Sequence, residues 1–219
     1  STLDSFSDEK YIFEWEGQKY RLDIRNFLNG NHFCHDPSEL KSVSKELKKF
    51  HVSAKNFTGK DQVKKTQTLI SKTQKKIIDK IKISFSTDNF SIFYERENWA
   101  RSHKNWLEEI IECYDPFFFE SENAQCLHGQ IHPGNVIFIN KKAILFDLET
   151  SITIFAPPSW DLSYLVQRFC LDDNPDKELL AKRLKIIEEG YGEKMPNLTD
   201  TMRYTSMFNV ISGFDYRIN

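Results

Sequence analysis

Glycine is scarce in this chain, with eight in 219 residues and only Gly17 and Gly30 among the first 30. A glycine-rich loop that cradles an anion with backbone N–H groups is therefore not expected there. Cysteine is sparser still: Cys34, Cys113, Cys126 and Cys170 stand far apart, with no CxxC pair. That spacing argues against a zinc site or a disulfide framework and predicts the reduced thiols of a cytoplasmic protein. No apolar run is long enough to span a bilayer, so no membrane partner is expected. The opening "STLDSFSDEKYIFEW" has no basic stretch followed by an apolar one, and no signal peptide is expected. Neither sign of charge dominates: 30 basic residues face 32 acidic ones, so the whole-molecule field selects no partner.

Enough apolar residues are present, 39% of the chain, to bury a substantial core. "KYIFEWEGQKYRLDIRNF" alternates aromatic or branched residues with polar ones around Glu16-Gly17, the pattern of a β-hairpin; Lys19 is read into its turn. "DPSELKSVSKELKKFH" restarts as a helix capped by Ser38, with Leu40, Val43, Leu47 and Phe50 at helical spacing. Lys60 to Ile83 reads as a second amphipathic helix whose apolar face is Val63, Leu69, Ile70, Ile77, Ile78 and Ile81. "NFSIFYERENWARSHKNWLEEIIECYDPF" reads as one long helix ending before Pro116. "NVIFINKKAILFDLE" reads as two short strands around Asn140-Lys141. Further helices follow in "SWDLSYLVQRFCL", in "NPDKELLAKRLKIIEEGYG" between Pro175 and Gly192, and in the tail.

The stretch "CLHGQIHPGNVIFINKKAILFDLE", Cys126 to Glu149, carries the chemistry. Phosphoryl transfer needs magnesium held by hard oxygen ligands and a group that orients the attacking hydroxyl. The protein-kinase catalytic loop reads H-R-D-L-x-x-x-N, with an aspartate following at the end of a later strand. "HGQIHPGN" superimposes on it: His128 on the histidine, Gln130 on the catalytic aspartate, Asn135 on the metal-binding asparagine. Asp147 follows Asn135 by twelve residues, one hairpin, which would return it beside Asn135.

With "ILFDLE" and "PPSWDLSYL", these residues resemble the aminoglycoside phosphotransferase and choline kinase-like family, whose motifs read roughly HGDxHxxN, IDxE and a downstream WD. The resemblance is strong from Cys126 to Leu165; "YRLDIRNFLNG" and "KELKKFH" extend it weakly to a small-lobe strand with its hinge and to a first large-lobe helix. It implies an α+β, protein-kinase-like fold, with residues 1–30 a reduced small-lobe β-hairpin and hinge and residues 31–219 the helical large lobe. It implies a phosphotransferase that uses Mg2+ and ATP or GTP on a hydroxyl of a small molecule such as an amino sugar or a choline-like compound. Asn135 and Asp147 would hold the metal, and Gln130, Asn135 and Asp147 would form the catalytic set. His128, His132 and Asp161 would be structural supports, Asp161 as a buried carboxylate bracing the loop; capping its own helix is the plainer role for Asp161. Glu149 stays open between an auxiliary metal ligand and a partner of one.

Two departures from the family pattern matter. A glutamine amide is not basic, so Gln130 can orient a hydroxyl but cannot take its proton. Lys10 and Lys19 are the only lysines before Gly30, and no phosphate-wrapping loop accompanies them, so the phosphate-binding half is cut down or supplied by a protein partner. The alternative function is a catalytically inactive kinase-like protein that binds a ligand or partner.

Charge is also segregated. Lys41 to Lys82 holds thirteen lysines against Glu46, Asp61 and Asp79, either a solvated helix surface or a site for a polyanion. Without interleaved aromatic residues, nucleic acid is not the expected partner. The next segment is acidic around Trp99 and Trp106, either ordinary helix surface or, by the resemblance, a place for a cationic amine.

Overall fold

A computed structural model describes residues 11–22, 28–117, 123–148 and 154–218. Lys10, Phe27 of the hinge-like "FLNG", and Glu149 lie outside these residues. The chain divides into two compact units, residues 1–30 and 31–219. Its secondary structure is mixed and mostly helical, with small antiparallel sheets.

The first unit holds β1 (Tyr11–Trp15) and β2 (Gln18–Leu22), paired antiparallel from Tyr11↔Leu22 to Trp15↔Gln18. Glu16 and Gly17 both have positive φ, 48° and 75°, the conformation that matches a two-residue turn to strand twist. The turn is therefore Glu16-Gly17 alone, and Lys19 is a strand residue paired with Glu14.

The second unit begins with α1 (Pro37–Ala54). Its N-cap is Asp36 rather than Ser38: the Asp36 carboxylate accepts from Ser38 N at 2.7 Å and Ser38 Oγ at 2.6 Å, with Pro37 opening the first turn. Lys141 reaches the same carboxylate at 2.5 Å and, with Ser38, holds it well below the usual carboxylate range. Leu40, Val43 and Leu47 are buried, and Phe50 is half-buried.

Next comes α2 (Lys60–Ser86), whose inner face differs from the expected one. Val63, Ile77, Ile78 and Ile81 are buried, yet Leu69 is 65% exposed. Gln67, Ser71 and Gln74 occupy the buried stripe between them. Their polar groups are satisfied: Gln67 Oε1 accepts Phe155 N at 3.3 Å, and Gln74 Oε1 accepts the Tyr114 hydroxyl at 2.7 Å. Hydrogen-bonded amides can therefore hold positions that the apolar pattern assigned to leucine.

Residues 91–113 do not form one helix. A 3-10 turn (Ser91–Arg96), α3 (Glu97–Ser102) and α4 (Lys104–Cys113) succeed one another, with Tyr94 at φ 49°. Phe90 and Phe93 both pack with Phe85 in the core, and Phe93 N donates to Phe90 O at 3.0 Å. Their three-residue spacing suits a 3-10 turn, where i and i+3 eclipse.

Two short pairs complete the strands: β3 (Gln125–Cys126) with β6 (Phe155–Ala156), and β4 (Val136–Ile139) with β5 (Lys142–Leu145). The β4–β5 turn falls at Asn140 and Lys141, both at positive φ. Then come α5 (Ser159–Leu165), continuing as a π-turn to Cys170, α6 (Lys177–Tyr191) and α7 (Thr199–Ile218). Asp176 caps α6, and Gly192 at φ 79° ends it. One apolar cluster joins α1, β4, α5 and α6; the other joins α2, the 3-10 turn, α4 and α7. The four cysteines are free thiols. No helix among the described residues is long and apolar enough to cross a membrane.

Candidate functional site

The 128–135 loop is built around a carboxylate from another element. Asp161, in the first turn of α5, is fully buried. Its Oδ2 accepts His128 N and its Oδ1 accepts Gly129 N, both at 2.9 Å. Asp161 thus spans the loop's first two amides instead of capping its own helix. Gly129 has φ 84°, in the left-handed region where a side chain is strained. Trp160 Nε1 donates to Gly129 O at 3.4 Å, so both peptide faces at 129 are engaged.

A second partner comes from α1. His51 Nε2 lies 2.9 Å from Asp161 Oδ2, and His51 Nδ1 lies 2.7 Å from the Tyr191 hydroxyl on α6. Burial raises the Tyr191 hydroxyl well above its ordinary value, which keeps it protonated. A continuous buried chain therefore runs from α6 through α1 and α5 to the loop. Neither His51 nor Tyr191 stood out as a site residue in the sequence. The available signal was that His51 continues the α1 stripe of Leu40, Val43 and Leu47 at helical spacing.

His128 Nε2 faces Phe146 O at 3.1 Å. A carbonyl only accepts, so Nε2 carries the proton; Nδ1 is buried and has no hydrogen-bond partner among the described residues. Burial pushes the imidazole below its ordinary value despite the attraction of Asp161. His132 Nδ1 accepts Gly134 N at 3.0 Å, capping the short turn Pro133–Asn135. Burial, then Arg168, also lowers His132.

Asn135 is 5% exposed, and its Nδ2 donates to the Gln130 carbonyl at 3.0 Å. That bond fixes the amide's orientation and leaves Oδ1 without a hydrogen bond among the described residues. On the return strand, Phe146 N donates to Asn135 O at 3.2 Å, which sets Asp147 one residue beyond the pairing. Asp147 is exposed, has φ 59°, and acts electrostatically on both His128 and His132. Its carboxylate makes no hydrogen bond among the described residues. The Gln130 side chain is exposed as well. The hairpin thus brings the backbones of Asn135 and Asp147 together, with Gln130 beside them through its carbonyl.

Two cavities lie elsewhere. One of about 380 Å³ is lined by Lys55, Lys60, Lys64 and Gln125 among others; one of about 280 Å³ lies between Trp106 on α4 and Arg203 on α7. Neither is lined by His128, Gln130, His132, Asn135, Asp147 or Asp161. His35, Asp172 and Asp173 also cluster on the surface, but Arg183 grips Asp173 at 2.6 and 2.7 Å, so the group is accounted for as ion pairing. No protein-family model matches the chain, and no curated protein matches it.

Proposed function

We propose that residues 31–219 are the large lobe of a kinase-like fold and that the protein is a magnesium-dependent phosphotransferase. It moves a phosphoryl group from ATP or GTP to a hydroxyl of a small molecule. The observation that carries this reading is the loop itself. A buried carboxylate holds its first two amides, Asn135 donates to the Gln130 carbonyl, and the bond from Phe146 N to Asn135 O brings the backbone of Asp147 beside Asn135; Asn135 Oδ1 and the Asp147 carboxylate make no hydrogen bond among the described residues.

That donor set fits Mg2+, which prefers hard oxygens and takes one or two protein ligands beside substrate phosphates and water. When bound, the ion neutralises charge on the phosphates. Asn135 and Asp147 would hold it, His128 would brace the Phe146 carbonyl just before Asp147, and His132 would keep the intervening turn closed. Gln130 would orient the acceptor hydroxyl through its amide oxygen without taking the proton. The missing base lowers the rate by about 10²–10⁴. A second protein chain completing the phosphate-binding half belongs to the same proposal.

Gln130 favours a second reading, a kinase-like protein that binds nucleotide or partner without transfer. Thermal melts of the full chain with ATP or GTP, with and without Mg2+, separate the cases. A metal-dependent rise in Tm that Asp147→Ala abolishes is expected under the first reading, because a ligand selective for the folded state stabilises it. Gln130→Asp should then raise nucleotide turnover. A Tm rise with no turnover in Gln130→Asp would leave the binding reading, and no rise at all would remove the phosphotransferase reading and leave only the binding of a partner.

A further inference from the structure

We infer that the outward face of α2 docks on an anionic lipid surface. The helix carries Lys60, Lys64, Lys65, Lys72, Lys75, Lys76, Lys80 and Lys82, all exposed. Among the described residues, none of the eight has a carboxylate within ion-pair distance, although Asp61 and Asp79 share the helix. Outside α2, six lysines do: Lys41, Lys48, Lys49, Lys104, Lys141 and Lys182. The basic charge of α2 is therefore left open by the fold.

The choice of occupant follows from what stands among those lysines. Lys65, Leu69, Lys72, Lys76, Lys80 and Ile83 follow one another at spacings of three and four, a single stripe along the helix. Leu69 and Ile83 are 65% and 62% exposed, although the helix buries Ile77, Ile78 and Ile81 on its other side. Two aliphatic side chains in a lysine field suit an interface where the chains enter the acyl boundary and ammonium groups meet lipid phosphates. A 27-residue helix, about 40 Å long at 1.5 Å per residue, lays this stripe along a flat surface. Nucleic acid fits less well: α2 has no arginine, and its one aromatic residue, Phe85, is buried. The contact is peripheral, since no described helix can cross the bilayer. It does not depend on the loop around Asp161.

The full chain is sedimented with vesicles of phosphatidylcholine, alone or with about one-third phosphatidylserine. Binding is expected only to the anionic vesicles, weakening about tenfold or more as salt rises from about 0.05 to 0.5 M. The quadruple variant Lys65→Gln, Lys72→Gln, Lys76→Gln, Lys80→Gln should lose on the order of 100-fold in affinity with an unchanged melting curve. A control with Lys45→Gln, Lys142→Gln, Lys177→Gln and Lys185→Gln should bind like the parent. Leu69→Ser with Ile83→Ser should lose about tenfold, most visibly at high salt, where the apolar contribution remains. Equal binding to both vesicle types, binding to neither, or parent-like binding by the α2 quadruple variant would overturn the assignment. So would duplex or single-stranded nucleic acid that strips the protein from vesicles at equal phosphate concentration.

Discussion

Helices α1 and α2 are both lysine-rich and amphipathic, yet the fold treats them in opposite ways. α1 is enclosed: Lys41 and Lys48 pair with Glu189 and Glu193, and His51 is hydrogen-bonded at both ring nitrogens. Gly190 on α6 approaches it so closely that an added Cβ would sit 2.4 Å from Lys41 O. α2 has one satisfied face, part apolar and part amide, and an exposed face whose lysines have no carboxylate within ion-pair distance among the described residues. The difference teaches that a run of lysines acquires its meaning from what packs across from it. On α1, Lys41 and Lys48 meet acids on α6 and just past its end; on α2, no carboxylate among the described residues comes within ion-pair distance of a lysine.

The most damaging way to break the enclosed side is Asp161→Ala. It leaves the His128 and Gly129 amides and His51 Nε2 unpaired in the interior, and should cost about 3–5 kcal/mol by urea unfolding. Should the loss be within error, the carboxylate is not what holds the loop. Paired leucine deletions sharpen the contrast between the helices. Leu47→Ala on α1, where the side chain is fully buried, should cost about 2–5 kcal/mol. Leu69→Ala on α2 should stay within about 0.5 kcal/mol, as surface changes do. Equal costs would mean the outer face of α2 is covered.

A smaller effect concerns pH. Burial lowers His128 in the folded protein, so between the folded and unfolded values the unfolded chain binds more protons. Stability should be fully present above the ordinary histidine range, about 6.5, and should decline as pH falls through and below it. Denaturant midpoints from pH 8 to 5 test this, and His128→Asn should flatten the slope. The smallest effect is expected from single lysines. Lys41→Ala and Lys72→Ala should leave Tm indistinguishable at about 0.15 M salt, because exposed ion pairs are strongly screened. A clear loss for Lys41→Ala alone would show that its pair with Glu189 matters to the α1–α6 contact.

Some of this architecture was readable from local pattern. The β4–β5 hairpin with its turn at Asn140-Lys141, the termini of α6 between Pro175 and Gly192, and the tail helix fall where alternation, helical spacing and turn residues put them. Other features were not. The N-cap of α1 is Asp36 rather than Ser38, and its carboxylate also takes Lys141, 105 residues away in sequence. The expected helix from Asn89 to before Pro116 broke into a 3-10 turn and two short helices, with Phe90 and Phe93 turned into the core. Leu69 gave up the inner face of α2 to Gln67, Ser71 and Gln74, whose partners Phe155 and Tyr114 no local window contains.

The order of the loop residues, His128, Gln130, Asn135 and Asp147, and the turn that returns one strand along the other were set by the sequence itself, since both follow from short-range backbone preference. The link of Tyr191 and His51 to Asp161, and of Asp161 to the loop, was decided only when α1, α5 and α6 packed together. A buried hydrogen bond depends on which distant group arrives within 3 Å, and side-chain spacing along the chain does not encode that arrival.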